Sequence, residues 1–290
     1  MPEGVNWELV IGSLVIEEEV AVTKVVVAGA AGRMGRRLIA LIRESGDLQV
    51  CGAVERAGHP DVGRDVGDVA GVGTVGVPLQ DRMDAALKGA EVYLDFTAPQ
   101  AALRNLEAAS KARVAAVIGT TGLSEADLKR AKELCTAISC VQSPNMSVGV
   151  NVLYGIVAEA ARMLGDAYDV EITEAHHHFK KDAPSGTAER IAQVIARALG
   201  RDLKQVGVYG RQGLVGERPA KEIAVHAIRA GDIVGEHTVL FGGMGERIEV
   251  THRAHSRDNF AHGALRAARW VIGKPAGFYD MADVLGLKRL

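Results

Sequence analysis

The chain has 290 residues, 48% apolar and 24% charged, with 34 basic side chains against 36 acidic ones. That length accommodates two domains with proper cores, and the near-neutral balance gives no basic excess for nucleic acid or a membrane surface. Aromatic residues, at 4%, are too few for stacking on single strands, and no run of about 18 apolar residues stands out to cross a bilayer.

Residues 1–22 lack a basic start and are interrupted by Glu17-Glu18-Glu19. They read as an N-terminal extension rather than a signal peptide. Cys51, Cys135 and Cys140 are few, odd in number and set in apolar segments, which predicts buried free thiols and a cytoplasmic protein.

From Lys24 a β-branched run ends at Gly29, and a helix carrying Leu38, Leu41 and Ile42 follows. Gly29, Gly32 and Gly35 between them form G-x-x-G-x-x-G, a relative of the dinucleotide fingerprint. Such glycines allow a tight turn, close approach to a pyrophosphate and close helix–strand packing. The next strand, Leu48–Val54, ends in Glu55-Arg56. A carboxylate there suits ribose hydroxyls, whereas a guanidinium suits a 2′-phosphate. NADH and NADPH therefore both stay open as the cofactor.

Residues 57–78 show little periodicity and predict a mobile loop with one short strand. Strands are then predicted at 91–97, 113–119 and 137–142, alternating with helices after Pro99 and Ser124. This βα order implies a parallel sheet covered by helices, with ligands at the strands' carboxyl ends. After a helix over 148–164 the pattern changes. Strands at 167–175, 222–230, 236–242 and 246–254 flank a single helix, which points to a mixed or antiparallel sheet, and a helix over 258–272 is expected to return to the first unit. The fold class is α/β: a Rossmann-like parallel-sheet domain (23–147 plus 257–290) and a second, α+β domain with a mixed sheet (148–256).

The densest chemistry lies at 174–188, Glu-Ala-His-His-His-Phe-Lys-Lys-Asp-Ala-Pro-Ser-Gly-Thr-Ala. It joins an alternating strand to an amphipathic helix carrying Ile191, Val194 and Ile195. Free N–H groups at that helix start, with the Ser185 and Thr187 hydroxyls and Gly186, suit an anion. A lysine supplies countercharge, and a histidine can deliver a proton beside it. A solvated basic loop without chemistry and a zinc site are the alternatives; against zinc, neighbours on an extended chain point to opposite sides.

These blocks, together with Asp-Phe-Thr (95–97), Gly-Thr-Thr-Gly (119–122), Asn-Met-Ser-Val-Gly-Val-Asn (145–151) and Arg-Ala-Gly-Asp-Ile-Val-Gly-Glu-His (229–237), resemble the dihydrodipicolinate reductase family over about residues 23–286. The resemblance implies reduction of a cyclic imine bearing two carboxylates, with NADPH or NADH as hydride source and a homotetramer as the assembly. It places the catalytic acid at His176, a catalytic and carboxylate-binding lysine at Lys180, and substrate contacts at His177, Ser185, Gly186 and Thr187. Cofactor contacts fall on Gly29, Ala31, Gly32, Arg33, Met34, Gly35, Glu55, Arg56, Phe96, Thr97, Gly119, Thr120, Thr121, Ser143, Pro144, Asn145 and Met146. Two positions depart from the family pattern: Ala98 stands where some members carry arginine, and Met146 where many carry phenylalanine beside the nicotinamide.

Overall fold

The computed structural model describes residues 22–287; the expected N-terminal extension, apart from Val22, lies outside the described residues. The chain opens with strand β1 (Thr23–Ala28), helix α1 (Arg33–Glu44) and strand β2 (Leu48–Val54). Leu38, Ile39, Leu41 and Ile42 bury one face of α1 against the sheet. Then come α2 (Val66–Ala70), β3 (Leu79–Gln80), α3 (Met83–Ala86) and β4 (Val92–Asp95). α4 (Pro99–Ala112) begins with proline in its first turn, where no N–H is missed. β5 (Ala115–Ile118) leads to α5 (Glu125–Leu134), whose start is fixed by a reciprocal cap between Ser124 and Asp127. β6 (Ser139–Gln142) follows.

The second unit begins with α6 (Val148–Leu164), capped by Ser147. It continues through β7 (Asp169–His176), α7 (Gly186–Ala198), α8 (Leu203–Val206), β8 (Gly207–Tyr209), β9 (Ile223–Arg229), β10 (Glu236–Gly242) and β11 (Arg247–Arg253). α9 (Asp258–Val271), β12 (Gly277–Tyr279) and α10 (Met281–Leu285) then return to the first sheet.

Seven parallel strands, in the order β12-β6-β5-β4-β1-β2-β3, form the first sheet. The direction of winding reverses between β1 and β4, where the ends of both strands open a crevice for a ligand. The second sheet, β11-β10-β7-β9-β8, mixes antiparallel pairs (β11/β10, β10/β7) with parallel ones (β7/β9, β9/β8). The Rossmann-like parallel sheet and the mixed sheet predicted from the sequence are both present.

Two expectations need correction. Residues 57–78 are not an irregular loop: the Asp65 carboxylate caps α2 through the Gly67 N–H and also accepts from Val75, Gly76 and Val77. One side chain folds that stretch by satisfying four backbone donors, a device with no periodic signature. Val148–Ala167 is also long and apolar enough to cross a membrane by length and hydropathy alone. Its Val150, Leu153, Val157 and Ala161 lie in the core beneath the second sheet, and Glu159 and Arg162 pair with each other on the outside. It is a core helix of this fold.

Candidate active site

At the carboxyl end of β1 the chain turns through Gly29 at φ +73°, a conformation that disfavours other residues. Backbone crowding accounts for the remaining glycines. A Cβ at Gly35 would lie 2.2 Å from the Gly29 carbonyl oxygen, and one at Gly32 3.1 Å from the same atom. Ala31, Gly32, Arg33 and Met34 form the rim of the turn. Among the described residues no side chain caps the N-terminus of α1, and its first turn carries no acid. Such a helix start, approached only by backbone, fits the pyrophosphate of a dinucleotide. Glu55 follows β2, with its carboxylate accepting the Arg56 N–H at 3.0 Å, and the Arg56 side chain is exposed.

Beside it, β4 ends in Asp95, fully buried. One Asp95 oxygen accepts from the Thr97 hydroxyl at 2.6 Å and the Thr120 hydroxyl at 2.8 Å, and the other from Asn105 at 2.8 Å. This ties the loops after β4 and β5 together. The Phe96 ring fills the space above Gly119, where a Cβ would come within 2.2 Å of it. Thr121 and Pro144 are exposed at the loop tips, and the Ser143 hydroxyl donates to the Asn145 carbonyl at 2.8 Å. The Met146 side chain is 1% exposed and packed in the core of the first sheet. A Cβ at Gly263 of α9 would collide with the Met146 carbonyl, so the helix presses this loop inward.

On the second sheet the organising group is Glu174, fully buried on β7. One of its oxygens meets His176 Nδ1 at 2.6 Å and Arg229 at 2.8 Å; the other accepts the Ser185 N–H at 3.0 Å and a second Arg229 nitrogen at 2.8 Å. Burial alone would raise this carboxyl, but bonds from His176, Arg229 and the Ser185 amide outweigh it and bring it down to about 2. A bidentate guanidinium is what makes such a buried charge tolerable. The bond at Nδ1 leaves Nε2 of His176 as the nitrogen available to a substrate. That edge of the ring occupies the space a side chain at Gly235 would need.

The loop after β7 is pinned to the one before β10: the His177 and His178 amides donate to the Ile233 and Gly231 carbonyls. Desolvation, then the charge of Arg257, lowers the pKa of His177. The Lys180 ammonium lies 2.9 Å from both oxygens of Asp182. Ser185 caps α7, its hydroxyl accepting the Ala188 N–H at 3.2 Å. Gly186 is exposed, and the Thr187 hydroxyl accepts from Asn145 at 3.1 Å.

That last contact joins the two sets of predicted residues, one from the loop after β6 and one from the start of α7. Among the described residues no three His, Cys, Asp or Glu side chains gather as a metal site. Sequence reasoning gave no role to Glu174, Arg229 or Asp95. Glu174 and His176 are two apart on a strand, hence on one face, and that signal was available. Arg229 lies opposite His176 only because β9 pairs with β7.

Profiles of the N-terminal and C-terminal parts of dihydrodipicolinate reductase match residues 23–146 and 149–285. The chain belongs to the dihydrodipicolinate reductase family. It is 51% identical over 265 residues to the 4-hydroxy-tetrahydrodipicolinate reductase of Syntrophus aciditrophicus (strain SB), covering 91% of this chain and 99% of that one. With its counterpart in Geobacter sulfurreducens (strain ATCC 51573 / DSM 12127 / PCA) it shares 53% over 266 residues, 92% and 100% of the two chains. The dipicolinate-bound dihydrodipicolinate reductase of Paenisporosarcina sp. TG-14 has the same fold, at TM-score 0.70 and 22% identity over 90% of this chain and 98% of that one. An amine dehydrogenase from Mycobacterium smegmatis shares the architecture at TM-score 0.57 and 14% identity, over 93% and 96%. The resemblance carried by the motifs is thus borne out, and this member of the dihydrodipicolinate reductase family is an oxidoreductase that works with a nicotinamide cofactor.

Proposed function

We propose that the chain reduces 4-hydroxy-tetrahydrodipicolinate, by way of dihydrodipicolinate, to tetrahydrodipicolinate in the diaminopimelate route to lysine. The observation that carries this reading at the site is the single buried Glu174 carboxylate, which holds both the His176 ring and the Ser185 amide. A proton donor and an anion-binding helix start are thereby set beside each other. When bound, NADPH or NADH supplies a hydride to ring carbon 4 of the conjugated imine.

The remaining steps belong to the chain. Electron density displaced toward the nitrogen side is met by a proton from His176 at Nε2. Ser185, Gly186 and Thr187 hold one carboxylate at the start of α7. Lys180 leaves Asp182 for a carboxylate, and His177 lines the same pocket. On the cofactor side, Gly29 to Gly35 receive the pyrophosphate, while Phe96, Thr97, Gly119 to Thr121 and Ser143 to Met146 border the nicotinamide, Met146 through its backbone. Glu55 would take ribose hydroxyls and Arg56 a 2′-phosphate, which supports NADPH or NADH as the cofactor.

Residues 23–147 plus 257–290 serve as the dinucleotide-binding domain, and 148–256 as the domain for substrate and assembly. The chain works in the cytoplasm as a homotetramer. Exposed Ile228 and Ile248 on the second sheet, with Leu214, Val215 and Met244 on its loops, supply apolar surface for that assembly.

The test is a coupled assay in which the preceding synthase makes the substrate in situ from pyruvate and aspartate semialdehyde. Loss of nicotinamide absorbance above the enzyme-free control is expected; no such loss overturns the reading. Running NADH and NADPH against Arg56→Ala should weaken NADPH use selectively.

A further inference from the structure

His237 lies on β10 directly opposite Glu174 of β7, yet the reaction outlined above leaves it without a part. It is 4% exposed, with Nε2 3.2 Å from the Ser185 hydroxyl oxygen. Its ring stands edge-on to His176, centroids 5.3 Å apart at 75°. Its Nδ1 is buried with no hydrogen-bond partner among the described residues. The Ser185 oxygen has a second neighbour, the Ala188 N–H at 3.2 Å, and Ser185 itself is 2% exposed.

These contacts restrict where the hydrogens lie. A proton on Nδ1 would leave a buried N–H unsatisfied, which native interiors rarely tolerate. With the proton on Nε2, the ring itself leaves only a lone pair unused, Nε2–H donates to the Ser185 oxygen, and the one unsatisfied donor is shifted to the Ser185 hydroxyl at the start of α7, where the proposed carboxylate pocket lies. The Ala188 N–H takes the other lone pair, so the hydroxyl already accepts two bonds. Its one hydrogen then has no acceptor among the described residues, and Ser185 is shielded from bulk water. An acceptor that enters the site is what satisfies it.

We propose that His237 is a positioning residue for the substrate: its Nε2–H saturates the Ser185 oxygen and so commits the Ser185 hydroxyl to donate to a substrate carboxylate. The inference rests on the reading of Ser185 to Thr187 as a carboxylate pocket. Burial, and then the neighbouring His176, push His237 down to about 3, which keeps the ring neutral and a single donor at working pH.

A double-mutant cycle with pyridine-2,6-dicarboxylate as probe, on enzyme saturated with NADPH, tests it. Ser185→Ala should weaken the probe about tenfold, the size expected of one hydrogen bond to a charged group. His237→Leu should weaken it to a similar degree, and the double variant no further. His237→Gln, whose amide nitrogen can donate from nearly the same place, should restore most of the affinity, while the NADPH dissociation constant stays level throughout. Independent, multiplying losses from the two single variants overturn the role of His237 and leave Ser185 untouched. An unchanged affinity in Ser185→Ala overturns the carboxylate pocket itself. If His237→Leu does not fold, nitrogen-15 NMR of the native ring decides the matter: protonated Nε2 supports the proposal, and protonated Nδ1 overturns it.

Discussion

Around Gly29 to Gly35 the working surface is made by leaving side chains out, so that bare backbone and a helix start meet the ligand. Around Glu174 it is made by crowding charged side chains into the interior, each held by the next. The first arrangement tolerates nothing larger than hydrogen at Gly35, and the second depends on every partner being present. A backbone cradle is insensitive to protonation; a buried ionic hub is not. The two surfaces should therefore fail in different ways.

The largest effect is expected on the ionic side. Glu174→Ala leaves Arg229 without its partner and frees both His176 and the Ser185 amide. Removing one member of a buried pair costs about 3–5 kcal/mol, so urea unfolding should show a loss of that order and activity should vanish with it. Protonation offers a gentler route to the same end. Glu174 titrates near 2 in the fold against an ordinary 4.5, so its stabilising share is complete above 4.5 and drains away as pH falls from there toward 2. Glu174→Gln should flatten that part of the stability profile; an unchanged slope would show the hub to be electrostatically idle.

Next comes His176→Gln, expected to cut turnover about 10²-fold or more with little change in NADPH binding. Near-native kinetics would move the proton donor elsewhere. Gly35→Ala should break the other surface alone. Its Cβ meets backbone rather than flexible side chain, a strain of about 1–3 kcal/mol, read as weaker NADPH binding while pyridine-2,6-dicarboxylate retains its place in the second unit. Smallest of all, Asp65→Ala should speed amide exchange at Val75 to Val77 without altering the chemistry.

The same contrast explains what could be read from the sequence. Glycine spacing between a strand and a helix is local, so the turn at Gly29 and the parallel sheet were legible from a few residues. So were the start of α7 at Ser185 and the apolar stripe behind it. The hub was not, because Arg229 reaches Glu174 across 55 residues of chain and only the β7/β9 pairing brings them together. β8 and β12, three residues each, are too short to show alternation. The burial of Met146 was not legible either, because the collision that Gly263 avoids is invisible until α9 has packed.

One carboxylate gripping both a ring and a helix start has a consequence for redesign. The spacing between the His176 ring and the anion pocket is set by a single carboxyl group and its two hydrogen bonds, so neither can be retuned alone. Anyone wishing to fit a longer or shorter diacid would have to transplant strand end, turn and helix tip as one block, or else build the far end of the pocket anew and leave this corner untouched.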